Sequence, residues 1–333
     1  AGHGMSMRGR LLLAGGLSVL ILAAAAGYVI VAGHRGAVPA AAAGVLDAGP
    51  GERLLFRSTA AASYGRAATV ERAAAAGPRT VSALDCDRLY AAAGAGVCLR
   101  PDGPLATYQL AVLDAHLAVR ETYPLVGVPN RARVSPSGHV LTWTAFVTGD
   151  SYNGGRFSTR VGMLNTATGE TVGTLETYAV TRAGRPYRAA DLNFWGVTFA
   201  DDRIFYATMS TAGRRYLVVG DVAARTVRTL AENVECPSLA PDRTRIAFKE
   251  AIGATPARGW RLTVLDLATM TRTHTAETRS IDDQPAWYDN QSLMYAVRRA
   301  PRAADVWSVK ADGTGRAALL IPDAESPAAL WND

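Results

Sequence analysis

Apolar positions fall into three textures along these 333 residues. Residues 11–33, LLLAGGLSVLILAAAAGYVIVAG, form one unbroken uncharged run of 23. Coiled as a helix, such a run reaches about 34 Å, enough for a hydrocarbon core of about 30 Å. Residues 34–51 are rich in Ala, Gly and Pro and poor in large apolar side chains, the composition of a linker. From residue 52 to 333, short runs heavy in Val, Leu, Thr, Tyr, Phe and Trp alternate with turn clusters such as SPSG, TATGE, APDR and ADGTG. No long stretch has the helical period, so the pattern predicts an all-β domain.

The strand pattern repeats. VSALDCDRLYAAA (81–93), RARVSPSGHVLTWTA (131–145), FWGVTFADDRIFYAT (194–208), CPSLAPDRTRIAFKE (236–250) and QPAWYDNQSLMYAV (284–297) each read as strand, turn, strand. Anchored on Leu84, Val134, Phe199, Leu239 and Trp287, their spacings are 50, 65, 40 and 48 residues, the period of a β-propeller blade with one long insertion. Two further strand-like runs follow each hairpin, which makes four strands per unit. The chain finishes ESPAALWND with a first strand lacking a partner, while GERLLFRSTAAASYGRAATVE supplies later strands lacking a first. Joined, they complete a sixth blade, with five or seven blades as the alternatives, and close the ring by pairing the C-terminal strand with the N-terminal hairpin, removing the free sheet edge.

Charge and cysteines place the domain. Arg8 and Arg10 precede the apolar run, so the positive-inside rule puts residues 1–10 in the cytoplasm and the bulk of the chain outside, behind a transmembrane signal anchor. The alternative is a cleaved signal, with small-residue sites in AVPAAAAG (37–44). In an oxidising compartment Cys86 and Cys98, twelve residues apart, suit a local disulfide, which leaves Cys236 as a small buried residue. The net charge of +6 comes almost wholly from arginine, since Lys249 and Lys310 are the only lysines; these arginines are dispersed, which argues against a nucleic-acid surface.

The phrases RVSPSGHVLTWTA, PSLAPDRTRIAFKE and DDQPAWYDNQSLMYAV resemble the repeat of TolB-type propellers, an acidic residue and a proline ahead of an aromatic, a polar turn and an apolar strand. The resemblance covers about residues 80–333 and looks like the membrane-anchored or secreted TolB-like proteins of high-GC Gram-positive bacteria. It implies a six-bladed extracytoplasmic propeller that acts as a protein-interaction platform at the cell envelope, with an envelope or secreted protein as partner. It leaves the separate amino-terminal α/β domain of TolB unmatched. A monomeric disc is expected.

Candidate chemistry follows from propeller geometry, where the residues just before each first strand crowd one mouth of the central channel. These are Asn130, Asp191, Asn193, Glu235, Asp282, Asp283 and Glu325. Converging carboxylates there suit a basic peptide or a calcium ion; as single residues they equally suit turn capping. A second candidate is the polar loop 148–160, with Tyr152, Arg156 and Phe157 among glycines. Residues 178–196, carrying Arg182, Arg185, Arg188, Tyr187, Phe194 and Trp195, form either a basic and aromatic patch or a solvated connector around a buried Trp. No nucleophile elbow, zinc-protease helix, phosphate loop or EF-hand loop is present, and His116, His139 and His274 lie in separate repeats. A binding or assembly module, without a cofactor, is the first expectation; a propeller hydrolase or lyase acting on wall glycan or peptide, and a metal-dependent sensor, are the alternatives.

Overall fold

A computed structural model describes residues 46, 51–104, 107–147, 158–254 and 256–330. The apolar run 11–33, nearly all of the expected linker, and Tyr152, Arg156 and Phe157 lie outside the described residues. The described chain folds into six antiparallel blades. From the axis outward, blade 1 runs Ala324–Leu330, Arg53–Ser58, Arg66–Glu71 and Thr80–Asp85. Blade 2 runs Arg88–Ala92, Ala95–Asp102, Thr107–Leu113 and Val119–Leu125, and blade 3 runs Val128–Val134, Val140–Val147, Ser158–Asn165 and Thr171–Val172. Blade 4 holds Asn193–Phe199, Ile204–Thr211, Arg214–Asp221 and Thr226–Glu232; blade 5 holds Glu235–Leu239, Arg245–Ala251, Trp260–Asp266 and Arg272–His274. Blade 6 holds Ala286–Trp287, Ser292–Ala300, Ala303–Lys310 and Ala318–Ile321.

The inner strands neighbour one another in cyclic order, with Ala324–Leu330 touching both Arg88–Ala92 and Ala286–Trp287. That inner strand pairs antiparallel with Arg53–Ser58, placing Glu325 opposite Arg57. The core follows the same plan, because a propeller blade is buried on both faces against its neighbours. Six apolar clusters occupy the six gaps between blades, from Leu55, Leu89 and Leu113 between blades 1 and 2 to Phe56, Met294 and Ile321 between blades 6 and 1. Leu46, within the stretch expected to be linker, is buried in the first of these. Trp287 bridges blades 5 and 6, its indole N–H donating to the Ser238 carbonyl at 2.9 Å. Most turn acids cap their own hairpins: Asp201, Asp242, Asp266, Asp289 and Asp312 each accept backbone N–H groups two or three residues on.

Two readings of the strand pattern need correction. VSALDCDRLYAAA is not the inner hairpin of a blade: Thr80–Asp85 is the outer strand of blade 1, and only Arg88–Ala92 begins blade 2. Strand, turn, strand looks alike within a blade and between two blades, so alternation alone does not separate them. Blade 4 also exceeds four strands. Residues expected to form a connector fold as a hairpin, Ala179–Arg182 with Arg185–Tyr187, whose first strand adds in parallel to Thr226–Glu232. This hairpin accounts for the 65-residue spacing; Arg182 stacks over the Tyr187 and Tyr216 rings at 4.5 and 5.5 Å, and Phe194 and Trp195 belong to the inner strand.

Cys86 and Cys98 form the disulfide, with Cα atoms 5.5 Å apart, and Cys236 is free and buried. The bond ties the crossing from blade 1 to blade 2 onto the second strand of blade 2. Closing so short a loop restricts the unfolded chain by about 3 kcal/mol. The double variant Cys86→Ala/Cys98→Ala is therefore expected to melt about 6–12 °C below the parent in calorimetry. A shift under a degree would mean the unfolded chain gains nothing from the link.

Candidate functional site

The inner strands of blades 2 to 6 open at one end onto a single cavity of about 810 Å³, the front mouth of the channel. Each inner strand is antiparallel to the next strand of its blade, so the mouth is walled both by the starts of inner strands and by the ends of second strands. Glu235 and Lys249, paired across blade 5, show the arrangement. A bulge sharpens it. Blades 1, 4 and 5 each carry one extra residue near the start of the inner strand, at Ser326, Gly196 and Cys236, all with positive φ. The extra residue turns the side chain before it, Glu325 or Glu235, across the strand pair toward a cation. Proline follows in both cases, as Pro327 and Pro237, where the broken ladder tolerates a missing N–H. Gly196 has a further reason to be glycine, since a Cβ there would sit 2.8 Å from the Cys236 Cα.

Of the expected channel-mouth residues, Asn130, Asp191, Asn193, Glu235 and Asp282 line this cavity. Asp283 lines a neighbouring cavity of about 20 Å³ deeper in the channel, 3.8 Å from Arg131. Glu325 is buried beside the mouth, bonded to Arg57 at 2.6 Å, with Arg298 at 3.4 Å and Arg88 at 4.0 Å. Two of the set are spent on structure. Asp191 accepts from the Thr211 hydroxyl at 2.7 Å and the Ala212 N–H at 2.6 Å, bonds that hold its carboxyl below the usual range. Asn193 accepts from the Thr159 N–H and hydroxyl, tying blade 4 to the third strand of blade 3. Asn130 receives Arg131 on its side chain at 2.8 Å and Arg88 on its carbonyl at 2.6 Å.

What the sequence reading missed is the cations. Arg88, Arg131, Arg215, Lys249 and Arg298 all line the front cavity. Lys249, whose side chain is 2 % exposed, reaches Asp282 at 2.7 Å and Glu235 at 3.3 Å and sits 4.5 Å from the Trp260 ring centre. Burial alone would depress its ammonium, but the Cys236 sulfur, Glu235 and Asp282 outweigh that and hold it above the ordinary lysine value. Burial pushes the Cys236 thiol up. Glu235 also pairs with Arg215 at 2.7 Å. Among the described residues, no three His, Cys, Asp or Glu side chains are grouped to hold a metal ion. For two of these cations the signal that would have found them is register: Lys249 and Arg298 lie near the ends of second strands, the other half of the wall.

No protein-family model and no curated protein matches the sequence. Solved structures do match in shape. TolB from Acinetobacter baumannii superposes with a TM-score of 0.61 over 85% of this chain and 68% of that one, at 16% identity. The fold is that of a TolB-type six-bladed propeller. A chain of the nidogen/laminin complex follows, with a TM-score of 0.51 at 12% identity over 83% of this chain and 96% of that one. At these identities the likeness describes the architecture of the TolB-type disc and not its occupant.

The ion pairs of this propeller give its stability a defined pH range. Burial would raise the carboxyls of Asp282 and Glu277, yet Lys249 lowers the first, and Arg279 with the Tyr295 hydroxyl lowers the second. A carboxyl lowered in the native state stabilises above its unfolded pKa, and that contribution is lost as pH falls through the folded one. Lys249, raised in the native state, contributes below its unfolded pKa and loses the contribution at higher pH. Melting temperature is therefore expected to be level from about pH 6 to 9 and to fall below about pH 4. Glu277→Gln should flatten the acid limb; an unchanged limb would remove Glu277 from this account.

Proposed function

We propose that this chain is a membrane-tethered, extracytoplasmic propeller that serves as a protein-binding or assembly module of the cell envelope, with the front cavity as its recognition surface. The observation that carries the reading is the cavity itself: about 810 Å³, rimmed by both signs of charge, with Glu235 paired to Arg215 and Lys249, and Lys249 in turn to Asp282. Preset charges of both signs select a complementary surface and exclude mismatched ones. A protonated Lys249 and a Cys236 thiol raised by burial are poor bases, which favours recognition over catalysis. Carboxylates already matched by Arg57, Arg131, Arg215 and Lys249 favour a protein ligand over calcium. The Cys86–Cys98 bond suits the oxidising side of a membrane, and the apolar run 11–33 supplies the tether. A propeller of similar shape occurs in the nidogen/laminin complex.

The test is a photo-cross-linking amino acid placed on intact cells at Pro256, on the cavity wall, and at Leu319, exposed on an outer strand of blade 6. One or a few discrete adducts at Pro256 and none at Leu319 are expected. Equal labelling at both positions, or none at Pro256, would remove the front mouth as the recognition surface.

A further inference from the structure

The two ends of the channel differ in charge. Where the inner strands finish, a second cavity of about 380 Å³ opens at the rear, bounded by Ala92, Val134, Phe199, Leu239, Trp287 and Ala329. All six blades contribute, as they do to the channel itself. Unlike the front, this wall contains two arginines, Arg133 and Arg243, and no aspartate or glutamate. Thr198 and Ser238 add neutral polar groups, and the remaining residues are apolar or aromatic, with the rings of Tyr90, Phe199 and Trp287.

Arg133 is the unusual member. It is 8 % exposed, and its terminal nitrogens donate to the carbonyls of Ala132 at 3.1 Å and Pro285 at 3.0 Å. Its guanidinium lies 4.5 Å above the Tyr90 ring. No carboxylate of the described residues forms an ion pair with it; Asp283, the acid that bears on its charge, is engaged by Arg131 at 3.8 Å. A buried charge without a counter-ion is costly, and burial here lowers the guanidinium below its ordinary value. Arg243 stands exposed on the rim, in the turn that links the two inner strands of blade 5.

We propose that the rear cavity binds a small apolar carboxylate, its anionic end at Arg133 with Arg243 adding charge from the rim, and its body against Tyr90, Phe199 and Trp287. The cavity falls within the ordinary range for a small ligand, and its wall sets aromatic and apolar side chains beside the polar groups of Arg133, Arg243, Thr198 and Ser238, a division that suits a ligand with one charged and one apolar end. A carboxylate supplies the charge that Arg133 lacks, and guanidinium is the side chain best suited to receive one in a buried place. Because this site lies at the opposite end of the channel, it stands or falls separately from the front-mouth reading.

The probe is 3-phenylpropionate, with 3-phenylpropan-1-ol as its uncharged counterpart, titrated calorimetrically into the full chain at low salt. The acid is expected to bind at least about tenfold more tightly than the alcohol. Arg133→Met should abolish that preference while the near-ultraviolet dichroism stays native. Arg243→Gln, at an exposed turn that leaves the fold untouched, should weaken the acid several-fold and the alcohol not at all. The proposal is overturned by equal binding of acid and alcohol, by no binding of either at millimolar concentration, or by an acid preference that survives both substitutions.

Discussion

Glu325→Ala is expected to cost about 3–5 kcal/mol of folding free energy, the range for removing one partner of a buried ion pair. Glu325 and Arg57 face each other across the pairing of the last strand with the first, at 2.6 Å, with side chains 9 % and 7 % exposed. Without the carboxylate, Arg57 keeps Asp87 at 3.9 Å and its bond to the Cys86 carbonyl, while Arg88 and Arg298 lose their shared acid. The damage falls where the two ends of the domain meet, so the unfolding rate should rise as well as the midpoint fall. Replacing both partners, as Arg57→Met/Glu325→Leu, should recover most of the loss, because what is costly is the charge left alone. Urea denaturation of the two single variants and the double gives the coupling. A single-variant cost under about 1 kcal/mol would mean that water already reaches this pair.

Lys249→Met is expected to cost about 3 kcal/mol, toward the lower end of the same range. Lys249 is as buried as Arg57, but its acids are not equally stranded by its loss. Glu235 keeps Arg215 at 2.7 Å, and Asp282 has a side chain 79 % exposed and returns to water. The larger effect should appear at the front cavity, where cross-linking from Pro256 is expected to drop several-fold as Glu235 and Asp282 lose their shared anchor. Lys249→Arg, too long and planar for the same pocket over Trp260, should restore charge without restoring the adduct. Full recovery of the adduct in Lys249→Arg would show that the cavity reads charge alone.

These two residues mark how far the sequence could be read. The acids were legible because Glu235, Asp283 and Glu325 each stand two residues ahead of a proline, a spacing visible in the chain. Their partners were not, since Arg57 lies 268 residues from Glu325, and no local pattern joins them. Lys249 is only fourteen residues from Glu235, yet reaching it required the register of the hairpin, which a one-residue bulge at Cys236 alters. Asp191 and Asn193 were found at the mouth for a reason of packing, not recognition: they hold the turn of blade 4 and its contact with blade 3. The rear cavity had no local signature at all, because its wall comes from the ends of six strands spread from Ala92 to Ala329.

By itself, the sequence determined the all-β class, the blade period, most of the strands and turns, and the disulfide. Each is encoded within about fifty residues by alternation, turn chemistry or cysteine spacing. The tertiary structure alone decided which strand pairs belong to one blade, that residues 179–187 extend blade 4, and that Glu235, Asp282 and Glu325 are matched with cations while Arg133 at the rear is not. The reason is physical: a propeller's channel is built from one short segment of every blade, so its charge balance is a sum over distant residues that only closure of the ring brings together.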